Sequence, residues 1–225
     1  MPRLAIIGLG KMGRAVDQLA RERGFEVVAR IGKGDGVSRA SLKDAEVAVE
    51  FTSPRAAPAN IKATLEAGCP IVVGTTGWQE SRDSVDALAL EKHGALLVAP
   101  NFSPGIAAFG EIVTEAARIL KTMPGYDVHI IETHHAAKKD TPSGTATSLE
   151  ESAAAVWGAN IPVTSVRVGS VPGTHEFVFD APFEQIRLVH TARDRRVFAE
   201  GALHAARWLI GRTGVFTMQD VITGR

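Results

Sequence analysis

The chain has 225 residues, 45% of them hydrophobic, with 25 Lys plus Arg against 25 Asp plus Glu and a single cysteine. Balanced charge excludes capture of nucleic acid or an anionic membrane by a long-range field, and a lone Cys69 excludes an internal disulfide or a Cys-x-x-Cys zinc site. No apolar run is long enough to span a bilayer and the N-terminus leaves no room for a signal peptide, so a soluble cytoplasmic protein of one large or two small domains is expected.

Residues 4–7 are an apolar run that ends in Gly8, and Met12, Ala15, Val16, Leu19 and Ala20 follow at helical spacing, which predicts strand, glycine turn and helix. Further strands are predicted at 25–31, 47–51, 70–73 and 95–98, with helices at 54–67 and 80–92 between them. Continuous apolar strands alternating with helices imply an α/β, Rossmann-type parallel sheet covered on both faces. Beyond Pro100 the pattern changes to a helix at 106–120, a strand at 127–134 and a helix from 143. Three extended runs at 163–171, 175–181 and 185–193 follow, and a helix at 197–210 closes the pattern. This part reads as an α+β domain with an antiparallel or mixed sheet. The domain expectation is therefore 1–102, completed by 200–225, with 103–199 inserted as a second domain.

Gly8, Gly10 and Gly13 have Gly-x-Gly-x-x-Gly spacing between a strand and a helix. There the glycines permit a tight turn, close approach of a pyrophosphate and close helix packing. Lys11 and Met12 lie in the same loop at the helix N-terminus, whose free amides favour phosphate. A structural turn without ligand is the competing reading, and the strand–helix context favours a dinucleotide. At the end of the second strand no acid stands before Asp35, whereas Arg30 and Lys33 can pair with a 2′-phosphate. The expected cofactor is NADPH or NADH, with a lean to NADPH; the alternative makes these two cations solvated loop charges.

Residues 132–146 hold two histidines, two lysines and two acids ahead of a Ser-Gly-Thr turn. His134 and Lys138 are candidate proton carriers. His135, next along the strand, points to the opposite face and has a separate task, in the substrate site or in the core. Ser143 reads as a helix N-cap, with Gly144 and Thr145 presenting amides and a hydroxyl to a carboxylate. Lys139 reads as a solvated charge. Glu132, His134, His135 and Asp140 are possible metal ligands, but no His-Glu-x-x-His motif supports them and no metal is expected. Ser143 lacks the Gly-x-Ser-x-Gly setting of a hydrolase nucleophile.

The segment Glu-x-His-x-x-x-Lys-x-Asp-x-Pro-Ser-Gly-Thr-Ala at 132–146 resembles the signature of the 4-hydroxy-tetrahydrodipicolinate (dihydrodipicolinate) reductase family without a mismatch. Glu50-Phe51-Thr52, Gly74-Thr75-Thr76-Gly77, Ala99-Pro100-Asn101-Phe102-Ser103 and Pro172-Gly173-Thr174-His175-Glu176 extend the resemblance over essentially the whole chain. It implies hydride transfer from NAD(P)H to a small cyclic imine dicarboxylate on the diaminopimelate route to lysine. By the same resemblance His134 and Lys138 are catalytic, and His135, Ser143, Gly144 and Thr145 bind substrate. Gly74, Thr75, Thr76, Ala99, Pro100, Asn101 and Phe102 line the nicotinamide side, and the second domain assembles a homotetramer. The chain departs from the family in a glycine loop one residue shorter, in His129 where Glu is common, and in a shorter stretch around 31–46. Two rival readings are another Rossmann-type amino- or hydroxy-acid dehydrogenase and a non-catalytic NAD(P)H sensor; neither has a use for the 132–146 constellation.

Overall fold

Five apolar segments become strands in the computed structural model, which describes residues 1–194 and 196–224. They are β1 (Arg3–Ile7), β2 (Glu26–Ile31), β3 (Val47–Glu50), β4 (Ile71–Val73) and β5 (Ala95–Val98). Helices α1 (Lys11–Ala20), α2 (Arg39–Leu42), α3 (Ala57–Glu66) and α4 (Arg82–Glu91) separate them. α7 (Arg196–Leu209), β10 (Gly214–Phe216) and α8 (Met218–Thr223) come from the far end of the chain. The strand order is β10-β5-β4-β3-β1-β2, and every pairing is parallel. A parallel sheet needs cover on both faces. α7 supplies part of it, packing along α1 and against β3, β4 and β5. Leu4, Ile6, Val47, Val49, Ile71 and Leu96 are accordingly fully buried.

Two compact units result, Met1–Pro104 with Arg196–Arg225 and Gly105–Arg195. The second is entered through α5 (Pro104–Leu120) and contains β6 (Asp127–His134), α6 (Gly144–Trp157), β7 (Val163–Arg167), β8 (Thr174–Ala181) and β9 (Glu184–Thr191). Its sheet order is β7-β6-β8-β9, parallel between β6 and β7 and antiparallel elsewhere. This is the α/β plus mixed-sheet architecture that the pattern predicts. One face of the sheet packs Ile130, Phe177 and Phe179 against Phe109, Val113 and Ala117 of α5 and Leu149 and Ala153 of α6. β9 is mostly exposed, with Ile186 and Val189 open to solvent. No helix among the described residues is long and apolar enough to cross a membrane.

Differences from the predicted elements are local. α3 starts at Ala57 instead of residue 54, because the Ser53 carbonyl accepts from the Ala56 and Ala57 amides in a turn that contains Pro54. The predicted run at 163–171 stops at Arg167, ahead of the positive-φ Gly169 and Gly173. The one-turn α2 and the three-residue β10 are too short to show any periodicity; β10 exists because β5 offers an edge to pair with.

Candidate active site

Each glycine of the first loop has its own physical reason. Gly8 has φ +95°, and a Cβ there would stand 2.2 Å from the Phe51 carbonyl oxygen; a Cβ on Gly13 would stand 1.8 Å from the Gly8 carbonyl oxygen. Those two are demanded by the fold. Gly10 is different: it caps α1 with extended backbone and no side-chain bond, and a Cβ there would meet nothing within 4 Å. Open space at a helix N-terminus with free amides is the cradle a pyrophosphate requires. Lys11 is exposed and Met12 half-buried in the first turn.

At the carboxyl ends of the neighbouring strands, Gly74 packs so tightly on Phe51 that a Cβ would reach 2.0 Å from its ring. Thr75 Oγ1 accepts from the Thr52 amide at 2.8 Å and its carbonyl accepts from Trp78 Nε1 at 2.7 Å, while Thr76 is exposed. The Ala99 amide donates to the Val73 carbonyl. Pro100 is exposed, Asn101 Oδ1 accepts from the Ser103 amide, and the Phe102 ring meets Phe51 edge-on at 5.8 Å. Gly201 of α7 holds this segment from below, since a Cβ there would stand 1.6 Å from the Phe102 carbonyl oxygen. Beneath them Glu50 is wholly buried, and burial raises its carboxyl despite bonds from Thr52, Thr75 and Asn60.

The second cluster lies in the other unit, at the end of β6. Alternation along that strand turns Val128, Ile130, Glu132 and His134 to one buried face. Glu132 is fully buried; its Oε1 accepts from Arg167 Nη2 at 2.6 Å and from the Ser143 amide at 3.2 Å. His134 Nδ1 lies 2.6 Å from Glu132 Oε2. The His134 and His175 rings meet edge-on at 5.2 Å, and His175 Nε2 is 3.4 Å from Ser143 Oγ. Gly173 completes the wall: at φ +155°, a Cβ there would come to 3.0 Å from His134 Nε2. Lys138 Nζ pairs with Asp140 at 2.8 Å, and Gly144 at the start of α6 is exposed, with open space where a side chain would be. His135 and Thr145 are half-buried at the rim.

These positions set the charges. Burial alone would raise Glu132, but the polar groups of Ser165, Arg167 and Ser143 and the charge on His134 hold it down at about 2. Burial lowers His134, Glu132 opposes that, and Lys138 and Arg167 reinforce it. His175 falls to about 4, by burial first and then by the charge on His134. At neutral pH the cluster is therefore one carboxylate, two neutral imidazoles and the flanking cations Arg167 and Lys138.

Two sequence expectations change. Arg30 does not extend freely from the end of β2: its Nε and Nη2 donate to both carboxylate oxygens of Asp17 on α1, at 2.8 and 2.7 Å. Lys33 remains exposed, and Asp35 folds back so that its Oδ2 accepts from the Gly32 amide at 2.8 Å. Ser143 is only 2% exposed; its hydroxyl accepts from the Ala146 amide as the α6 cap and its own amide serves Glu132, so the residue supports the site from beneath. The possible metal ligands are also a different set. Glu132, His134 and His175 bring ligand atoms within 4.8 Å of one another, without His135 or Asp140, and the adjoining Arg167 and Lys138 oppose a dication. Arg167, Gly173 and His175 carry no role in the sequence reading of the site. The period-two alternation signals the Glu132–His134 pair, but nothing in the sequence announces that β7 lies beside β6 in parallel register and brings Arg167 opposite His134.

Comparison with known proteins matches residues 2–102 to a family described as dihydrodipicolinate reductase, N-terminus, and residues 105–222 to its C-terminus. The chain is 33% identical to a 4-hydroxy-tetrahydrodipicolinate reductase of Christiangramia forsetii, over 98% of this chain and 97% of that one. It is 36% identical to the protein of the same name from Gluconobacter oxydans, again over 98% and 97%. In fold it is similar to the dipicolinate-bound dihydrodipicolinate reductase of Paenisporosarcina sp. TG-14, with TM-score 0.80 and 23% identity over 96% of this chain and 97% of that one.

Proposed function

The chain belongs to the dihydrodipicolinate reductase family, and from that premise we propose how its own residues carry the reaction and choose the cofactor. The protein is an NAD(P)H-dependent oxidoreductase that converts 4-hydroxy-tetrahydrodipicolinate to tetrahydrodipicolinate in lysine and diaminopimelate biosynthesis. In balance, substrate, NAD(P)H and one proton give product, NAD(P)⁺ and water. The nucleotide supplies the hydride; the chain must hold the dicarboxylate and deliver the proton.

The observation that carries the assignment of residues is the buried Glu132–His134 contact, with Lys138 and the amide-bearing start of α6 on the same loop. Lys138 and His134 are the proton carriers. In the free protein His134 is neutral, and the charge of a bound dicarboxylate favours its protonated form, so substrate arrival loads the acid that the reaction uses. His135, Gly144 and Thr145 bind the substrate carboxylates, Gly144 through its amide at the helix N-terminus. Ser143 orders that amide. Gly8, Gly10, Lys11, Met12 and Gly13 hold the pyrophosphate, and Gly74, Thr75, Thr76, Ala99, Pro100, Asn101 and Phe102 form the nicotinamide wall. The first unit accordingly binds the dinucleotide, and the second binds substrate.

Both nucleotides are used, with NADPH modestly ahead. Lys33 is the cation for the 2′-phosphate, Arg30 being held by Asp17, and Asp35, at the β2 end, suits the ribose hydroxyls of NADH. The sheet face turned away from α5 and α6, where Val166 and Val189 are exposed, supports assembly of a homotetramer through the second unit. The place of action is the cytoplasm.

Steady-state kinetics with the cyclic substrate generated in situ test the assignment. Lys138→Ala and His134→Gln are expected to lower kcat by about 100-fold or more, with nucleotide affinity unchanged. Equal losses in turnover and nucleotide binding would remove both residues from the chemistry.

A further inference from the structure

Resting on the assignment of His134 as a proton carrier, we infer that Arg167 is a positioning residue for the reduction: it fixes Glu132 against His134 and ties the Lys138 loop to the same carboxylate. Its Nη2 lies 2.6 Å from Glu132 Oε1, 2.6 Å from the Asp140 carbonyl oxygen and 3.4 Å from Thr141 Oγ1. One cationic nitrogen thus joins the strand that carries His134 to the loop that carries Lys138. Nη1 donates to the Val166 carbonyl at 2.8 Å, which holds the guanidinium down on β7.

The backbone places this side chain. Arg167 is the last residue of β7 and the register partner of His134. The ladder continues past both, with the Val168 amide on the His134 carbonyl at 2.9 Å and the Ala136 amide on the Gly169 carbonyl at 3.2 Å. The Arg167 side chain is 17% exposed and that of Glu132 is 0% exposed, so their attraction is poorly screened. A buried carboxylate without its cation would take up a proton or move. Either outcome would release His134 Nδ1. While Glu132 stays ionised, it favours the tautomer with the proton on Nδ1 and leaves Nε2, the atom beside Gly173, as the one that exchanges a proton.

Around His134 the charged and titratable groups are Glu132 on its own strand, Lys138 on the loop, Arg167 on β7 and His175 on β8, with His190 of β9 opposite His175. Loss of the Arg167 charge by itself would raise His134, whereas loss of the ionised Glu132 that it holds in place lowers it, and the carboxylate is the stronger influence on the ring. The limb of the kcat–pH profile set by His134 is therefore expected to move to lower pH in Arg167→Met, as in Glu132→Gln, and a move to higher pH in Arg167→Met would overturn the inference. Turnover in Arg167→Met falls about 10- to 100-fold, the scale found for groups that orient metal-bound histidines, and nucleotide affinity holds. Arg167→Lys keeps a cation at the carboxylate, so it recovers most of the turnover and the wild-type limb. Nitrogen-15 spectra of the histidines in the ligand-free protein give a readout apart from activity: His134 is expected as the Nδ1–H tautomer in wild type and Arg167→Lys, and as a tautomer mixture in Arg167→Met. If Arg167→Met does not fold, the comparison rests on Arg167→Lys and Glu132→Gln. A wild-type tautomer and unmoved limb in Arg167→Met or, failing that variant, in Glu132→Gln would overturn the inference. His134→Gln separates it from its premise: full turnover in that variant would refute the proton-carrier assignment, whatever Arg167 does.

Discussion

His175 gives the sharpest test of how the buried cluster is built. Its imidazole is 4% exposed and has a pKa near 4 in the folded chain, against 6.5 for an unburdened histidine, because burial and then the charge on His134 oppose its protonation. A folded pKa below the unfolded one means that the unfolded chain binds the extra proton first. The contribution is therefore intact above the unfolded value and is lost as pH falls from 6.5 through 4. For this shift the loss by about pH 5 is roughly 2 kcal/mol, and close to 3 kcal/mol by about pH 4. Glu132 adds little between about pH 7.5 and about pH 5, since its pKa is lowered from 4.5 to about 2 and its own contribution is lost as pH falls from 4.5 through 2. The perturbation is His175→Gln, which keeps a polar group near Ser143 and removes the titration. Trp157, on α6 against Phe179, reports on the second unit alone when Trp78 and Trp208 are replaced by Phe. Urea titrations of that background, with and without His175→Gln, are run at about pH 7.5 and about pH 5. The parent should lose about 2 kcal/mol more than the variant over that interval. Equal losses in the two proteins would mean that His175 is not buried as a neutral ring, and the charge assignment of the whole cluster would fail with it.

Three glycines give contrasting outcomes. Gly10→Ala, placed in open space, should keep stability within about 0.5 kcal/mol while weakening nucleotide binding, measured by calorimetry; unchanged affinity would remove the pyrophosphate from this loop. Gly13→Ala, by contrast, drives a methyl into the Gly8 carbonyl and should destabilise the first unit by more than about 2 kcal/mol in thermal melts. Gly173→Ala crowds His134 Nε2 at a strained φ, so turnover should fall at least about tenfold while nucleotide affinity holds; near-normal turnover would show that Nε2 is not the working atom. For the cofactor, Lys33→Ala should cut kcat/KM for NADPH about tenfold and spare NADH, with Asp35→Ala having the reverse bias in the same assay.

The elements of the first unit follow from local chemistry. Apolar runs such as 4–7 and 47–49 have one stable fate, a strand buried on both faces, and the glycine spacing at 8, 10 and 13 announces the turn between strand and helix. Alternation in β6 likewise puts Glu132 and His134 on one buried face before any coordinates are known. β10 is beyond such reading, since three residues have no period and their strand exists only beside β5.

The site divides along the same line. His134, Lys138 and the Ser143 cap can be read from residue type and spacing because they lie within one short stretch of chain. The partners that set their charge come from other strands: Arg167 through the parallel β6–β7 register, and His175 and Gly173 from β8 and the turn before it. Arg30 shows the reverse case. Its position at the end of β2 suggests a phosphate ligand, yet Asp17, thirteen residues earlier on α1, has already claimed its guanidinium. Spacing along the chain dictates which groups are available, because backbone periodicity is a short-range property. Which charges neutralise one another depends on separations of a few ångströms across strand pairs, and those exist only after the sheets have closed.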